Sequence, residues 1–184
     1  MLAPLTALAA LIPFAASAPA AVPAIPDMPA TASQLSASAP WWERLVVTVG
    51  DEGETRACQY ETSLEPGKRK PCEVEGTAGA GEAKLPEQVT RITFERRFSP
   101  AANLADGEVA AGSSLLGKSV LALAIDGAGR VRGCKVVATG GMKPDYGCEE
   151  AAAEKFEASA GATTVATRVA SLTILVYAHA ENQV

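Results

Sequence analysis

Apolar and polar positions alternate from Val120 to Ile125, placing Leu121, Leu123 and Ile125 on one face and predicting a half-buried strand. Asp126-Gly127-Ala128-Gly129 follows, a run of residues that readily adopt turn conformations. Val131–Val137 reads as the returning strand of a hairpin, and Gly140-Gly141 ends it. Asp145 is then placed to cap a helix reaching about Ala160, because Cys148, Ala152, Phe156 and Ala160 form one apolar stripe. Glu149 and Glu150 fall in its first turn, where the helix dipole favours acids. Leu172–Tyr177 is a closing apolar strand. The predicted order is strand, strand, helix, strand.

The same plan occurs earlier in the chain. Displaced by 76 positions, Leu45 falls on Leu121, Gly53 on Gly129, Arg56 on Arg132, Cys58 on Cys134, Cys72 on Cys148 and Glu73 on Glu149. Val47 with Leu123, Val49 with Ile125 and Ser63 with Thr139 are conservative matches. Leu45–Val49 and Thr55–Tyr60 therefore predict a first hairpin. Gly76–Gly81 is too rich in glycine to favour a helix strongly. Val89–Phe98 is β-branched and aromatic, as strands are, and Ile92-Thr93-Phe94 echoes Leu172-Thr173-Ile174 at an offset of 80. The expected fold class is α+β, with two related hairpin–helix–strand units at residues 43–98 and 116–180 and a linker at 99–115. Chance likeness between two hairpins is the plainer alternative.

The 184 residues leave room for one ordinary domain or two small ones. Residues 1–18 are uncharged, rich in Leu and Ala, and end in Ala16-Ser17-Ala18, so a cleaved signal peptide is expected. Two features depart from that pattern: the first basic residue is Arg44, and Pro19 follows the cleavage motif. Retention as an inner-membrane anchor is the alternative, although Pro4 and Pro13 interrupt a continuous spanning helix. Residues 19–42, rich in Ala, Pro and Ser up to Pro40, are expected to be a linker. A net charge of −5 with both signs interspersed argues against a nucleic-acid-binding face.

Export gives the four cysteines a meaning. Three connectivities are possible, and the repeat selects Cys58–Cys72 and Cys134–Cys148, both 14 positions apart. Buried free thiols are the alternative. Zinc is disfavoured, because close cysteine pairs are lacking and the sole histidine is His179. Gly112-Ser-Ser-Leu-Leu-Gly117-Lys118-Ser119 matches the letters of a phosphate-binding loop, but the segment after it reads as a strand, whereas the mechanism needs a helix N-terminus. Nucleotide binding is not expected. Glu149, Glu150, Glu154 and Glu157 read as a solvated helix face, and a serine nucleophile would lack a histidine partner. No catalytic constellation and no cofactor are expected.

The pattern Ile125-Asp126-x-x-Gly129-Arg130-Val131-x-x-Cys134-x-Val136-Val137 resembles the hairpin of TonB C-terminal domains. Thr139-Gly140-Gly141 stands where that family has a Ser-Ser-Gly turn, and Asp145 and Cys148 stand at its helix start. The likeness spans about Leu116 to Ala180. The chain departs from family transducers in lacking a basic-flanked anchor and a long Pro-rich span, and Phe156-Glu157-Ala158 replaces the family's Phe-x-Pro-Ala. The resemblance implies a periplasmic, non-catalytic protein-binding module whose partner is another envelope protein, an outer-membrane receptor being one candidate. It also implies that the partner's extended segment is received beside the last strand, at Leu172, Thr173, Ile174, Leu175, Val176 and Tyr177; the alternative, which so apolar a run favours, is a central strand covered by Ala152 and Phe156 on one face and by the first repeat along its edge. The alternatives are a divergent, inner-membrane-anchored energy transducer and an exported enzyme with a site between the repeats. If the leader is cleaved, intact-mass measurement of the exported protein places its first residue between about Pro19 and Ile25; a mass that retains Met1 to Ala18 overturns this.

Overall fold

The computed structural model describes residues 35–50, 53–72, 88–101, 109–158 and 167–182. Seven strands form one antiparallel sheet: β1 (Trp41–Val49), β2 (Thr55–Thr62), β3 (Arg69–Pro71), β4 (Gln88–Ser99), β5 (Ser114–Ile125), β6 (Val131–Gly141) and β7 (Arg168–Asn182). Their order across the sheet is β3-β2-β1-β4-β7-β5-β6. One short helix, α1 (Cys148–Ala153), lies between β6 and β7.

This corrects the α+β expectation: the protein is nearly all antiparallel β. The apolar spacing that suggested a helix to Ala160 has a different cause. Gly147, not Asp145, precedes the first turn, and Glu150 accepts a hydrogen bond from the Gly147 N–H at 2.7 Å. Ala152 is exposed, and Ala151 is the buried helical residue. After Ala153 the chain extends: Phe156 N–H donates to the Gly129 carbonyl at 2.9 Å, and isolated bridges join Arg130 to Lys155 and Leu35 to Phe156. Phe156 is therefore buried by an extended strap, not by a helix. Ala160 and the Gly76–Gly81 segment lie outside the described residues.

The duplication is visible in the hydrogen-bond ladders. Leu45, Val46, Val47 and Thr48 pair with Tyr60, Gln59, Cys58 and Ala57. Leu121, Ala122, Leu123 and Ala124 pair with Val136, Lys135, Cys134 and Gly133. Each pair in the second set lies 76 positions beyond its counterpart. The β-bulge recurs too, between Thr48 and Val49 and between Ala124 and Ile125. The turns match: Gly53 N–H donates to the Gly50 carbonyl as Gly129 N–H donates to that of Asp126, both glycines at positive φ. At Gly129 a side chain would also strike the Phe156 carbonyl. The third strands need one adjustment. Phe94 lies opposite Leu45 and Leu172 opposite Leu121, so the offset there is 78 (172 − 94), not 80.

Each unit is thus a hairpin with a third strand beside its first: β2-β1-β4 and β6-β5-β7. The two meet where β4 pairs with β7 from Gln88↔Asn182 to Ser99↔Ser171. Arg96↔Ile174 is the central pair about which the two halves correspond. Inner-face rows cross this seam without interruption, as in Trp41–Phe98–Leu172–Leu121. Trp41 stacks on Phe98 at 5.4 Å, and Phe98 meets Phe156 at 5.2 Å. Leu35 and Ala37 are buried in the same cluster, so the last part of the expected linker is packed structure. A second cluster gathers Leu45, Val47, Tyr60, Phe94 and Val176.

Both expected disulfides are present, with Cα separations of 5.1 Å for Cys58–Cys72 and 5.6 Å for Cys134–Cys148. Closing a loop of this length restricts the unfolded chain by about 3 kcal/mol in the chain-entropy model. Removing the second bridge as C134A/C148A is expected to lower unfolding free energy by about that amount in urea titration; a loss below about 1 kcal/mol would show that loop closure is not what the bridge supplies.

Candidate functional site

Among the described residues β6 is left as an edge without a further strand, and this follows from how the two units continue after their hairpins. In the first unit the chain runs back along β2 as β3, pairing Gln59↔Pro71, Tyr60↔Lys70 and Glu61↔Arg69. Cys72 N–H donates to the Cys58 carbonyl at 3.3 Å, and the disulfide ties β3 to β2. An Arg69–Glu61 ion pair lies across this pairing. In the second unit the equivalent disulfide pins the first residue of α1 to Cys134, and the chain passes over the face instead. Among the described residues, Arg130, just before β6, gains a neighbour through its bridge to Lys155.

The edge left open is short by construction. Bulges displace Arg132 and Val137 from the ladder, dividing β6 into two short stretches regularly paired to β5, Gly133–Val136 and Ala138–Gly140. Val136 and Val137 expose 45% and 43% of their surface. Lys135 is exposed and has no ion pair among the described residues. Bulges and charges of this kind discourage a long edge from joining other sheets indiscriminately.

Asp126 fixes the base of this edge. Its Oδ1 accepts from the backbone N–H groups of Arg130 (3.0 Å) and Ala128 (2.9 Å), and Oδ2 accepts from Arg132 Nε at 2.7 Å and Arg130 Nε at 3.2 Å. The Arg130 N–H is foremost in lowering the carboxyl, burial opposes it, and the remaining hydrogen bonds and the arginine charge hold the carboxyl at about 2. The first unit reaches a similar result differently. Gly50 stands at the equivalent position, and Glu54 supplies the carboxylate that pairs with Arg56 at 2.6 Å. A side chain at Gly50 would run into that Glu54–Arg56 pair.

A second constellation is buried at the seam. Glu43 exposes 0% of its surface and Arg96 6%. Arg96 donates to Glu43 through Nε at 3.2 Å and through a short Nη2 contact, and to Glu154 through Nη1 at 2.5 Å. Tyr60 Oη donates to Glu43 at 2.7 Å, and Tyr146 Oη to Glu154 at 3.2 Å. The Arg96 guanidinium lies 5.0 Å from the Tyr146 ring centre. Burial lowers the basicity of Arg96, but the charges of Glu43 and Glu154 reverse this, and the guanidinium stays protonated. On the opposite face, burial pushes the Glu95 carboxyl up. Hydrogen bonds from Arg97 and Tyr177 and the charges of Arg97 and Arg44 outweigh it and leave the carboxyl below its ordinary value. Burial and Glu95 raise the Tyr177 hydroxyl to about 12. The seam network is a set of charged and polar side chains joined by mutual hydrogen bonds.

The expected partner strand is elsewhere than anticipated. Leu172–Tyr177 belongs to β7, which pairs with β4 on one side and β5 on the other, so its backbone offers no open edge. Its side chains are buried on both faces, which explains the uninterrupted apolar run. Glu154, expected on a solvated face, is instead held by Arg96. Ser114–Ile125 is a strand, so Gly117 and Lys118 open no helix. His179 Nδ1 lies 3.2 Å from the Gly112 carbonyl. Among the described residues no group of three His, Cys, Asp or Glu is placed to hold a metal. Glu43 and Arg96 went unrecognised in the sequence; the available signal was parity, since Glu43 shares a face with Leu45 and Val47, and Arg96 with Phe94 and Phe98.

Comparison with known proteins finds no matching family model, curated protein or solved structure. Two disulfides point to an oxidising, exported environment. No helix among the described residues is long and apolar enough to cross a membrane. An NMR titration is expected to give Asp126 a midpoint at about 2. That value lies below the ~3.9 of an unfolded aspartate, so the carboxylate stabilises the fold above about pH 4, and its contribution disappears as pH falls through about 2. D126N should remove this part of the acid dependence; a wild-type midpoint near 4 would show that the hydrogen bonds are not holding the ionised form.

Proposed function

We propose that this chain is a non-catalytic periplasmic protein-binding module, and that the β6 edge receives a short extended segment of another envelope protein. The observation carrying this reading is the unequal treatment of two equivalent edges. The molecule covers β2 with a three-residue antiparallel strand and leaves the matching part of β6 open. The regular window Gly133–Val136 is of comparable length. Main-chain hydrogen bonds along that window would supply affinity, and alternate side chains selectivity. The likeness to TonB C-terminal hairpins belongs to the same reading, with one change. The edge beside the last strand, where that family receives its partner, is here occupied by the other unit, so the reception edge moves to the far side of the hairpin.

The partner would place an acidic residue within reach of Lys135 and apolar residues beside Val136, as Arg69 answers Glu61 on the covered edge. The test is site-specific photocrosslinking in periplasmic extract. A crosslinker at Val136 is expected to yield one discrete adduct that K135E weakens by about tenfold, roughly 1.4 kcal/mol. A crosslinker at Gln59, the exposed counterpart of Lys135 on the covered edge, should yield none. Equal labelling at both sites, or none at Val136, rejects the β6 edge as the binding surface.

A further inference from the structure

The duplication creates a choice that the seam has to resolve. The two units present equivalent third strands, so β4 could pair with β4 of a second copy, and β7 with β7, in the register now used by β4 with β7. Such like-with-like pairing closes two chains into a dimer or, continued from chain to chain, strings them into open oligomers. The central inner-face row is Glu43–Arg96–Ile174–Ser119, and its two halves are equivalent by position but opposite in chemistry.

We infer that Arg96 is a selectivity residue that makes each unit recognise the other kind and refuse its own. In a β4–β4 pairing, Arg96 would face a second Arg96 directly across the ladder, where opposed side chains approach to about 4.5–5.5 Å at Cβ and like charges repel. Both guanidiniums would be buried with Glu43 as the remaining carboxylate of each, the Glu154 contact being lost, and weakening a buried pair is costly. In the native seam Arg96 faces Ile174 and gains from the second unit the ion pair with Glu154 and the face of Tyr146; 76 positions earlier the sequence has Ala78 and Lys70 instead. Glu43 neutralises Arg96 from within its own unit. Attraction toward the correct half and repulsion from the wrong one act together, as selective interfaces require. Ile174 opposite Ile174 would not repel, so the selection rests on the first unit.

The test uses the full chain and measures mass by light scattering after gel filtration. E43S/R96I installs in the first unit the residues that the second already carries at these positions. It is expected to convert a monomeric parent mainly into dimers and larger oligomers. Moving the charges across the seam, by adding S119E/I174R to that variant, should restore the parent's mass, because β7 then refuses itself. E154Q, at the half-exposed rim, should raise dimer association about tenfold, as expected for losing one charge-assisted contact. If E43S/R96I does not fold, E154Q carries the test alone. A folded E43S/R96I with the parent's mass, or an unchanged E154Q where that variant decides, overturns the inference.

Discussion

The antiparallel pairing of β4 with β7 is the constraint on which the rest of the structure depends. Without it there are a four-stranded piece, β3-β2-β1-β4, and a three-stranded one, β7-β5-β6, each with one side of β4 or β7 unsatisfied. With it, both third strands become central, and the cores on either side share aromatic rows through Trp41, Phe98, Leu172 and Leu121. Pieces of this size bury little apolar surface alone. The seam therefore turns two marginal units into one sheet, and the buried Glu43–Arg96–Glu154 network sits where the two are joined.

The same local design produces different surroundings in the two halves. Both disulfides leave the second strand of a hairpin from equivalent positions, and both reach 14 residues ahead. In one half the tethered segment becomes an edge strand; in the other it becomes α1 and the strap ending at Phe156. The strap closes over Gly129, whose missing side chain makes room for the Phe156 carbonyl. The halves already differ just before the second cysteine, where Arg69–Pro71 is a strand and Asp145–Gly147 is not, and the hairpin itself stays intact, so one half can be closed and the other open without changing its ladder.

Much of this was legible in the chain. Alternation located β1, β2, β5 and β6, and the repeated cysteine spacing fixed the bridges, because both signals are local. The helix was overextended because four-residue spacing of Ala and Phe looks the same whether a helix or a strap buries the last residue. The Leu172–Tyr177 run was legible as a strand, and its apolar character as a mark of a central one, but not which strands flank it. Its burial on both faces comes from β4, some 80 positions away. Arg96 and Glu43 are 53 positions apart and have no local motif in common. Only their parity with apolar neighbours marks them as inward-facing, and a charge on an apolar face implies a partner without naming it.

The order of the cysteines bears on how the chain matures. Each bridge joins consecutive cysteines within one unit, and neither crosses the seam. A chain emerging N-terminus first presents Cys58 and Cys72 together, and later Cys134 and Cys148. Pairing in order of arrival gives the native set, so an oxidant alone suffices and no reshuffling of wrong bridges is needed. The β4–β7 ladder joins segments far apart in sequence and closes last, after β7 has arrived. Oxidation can thus be complete in the first half while the strand that will cover β4 has yet to be exported.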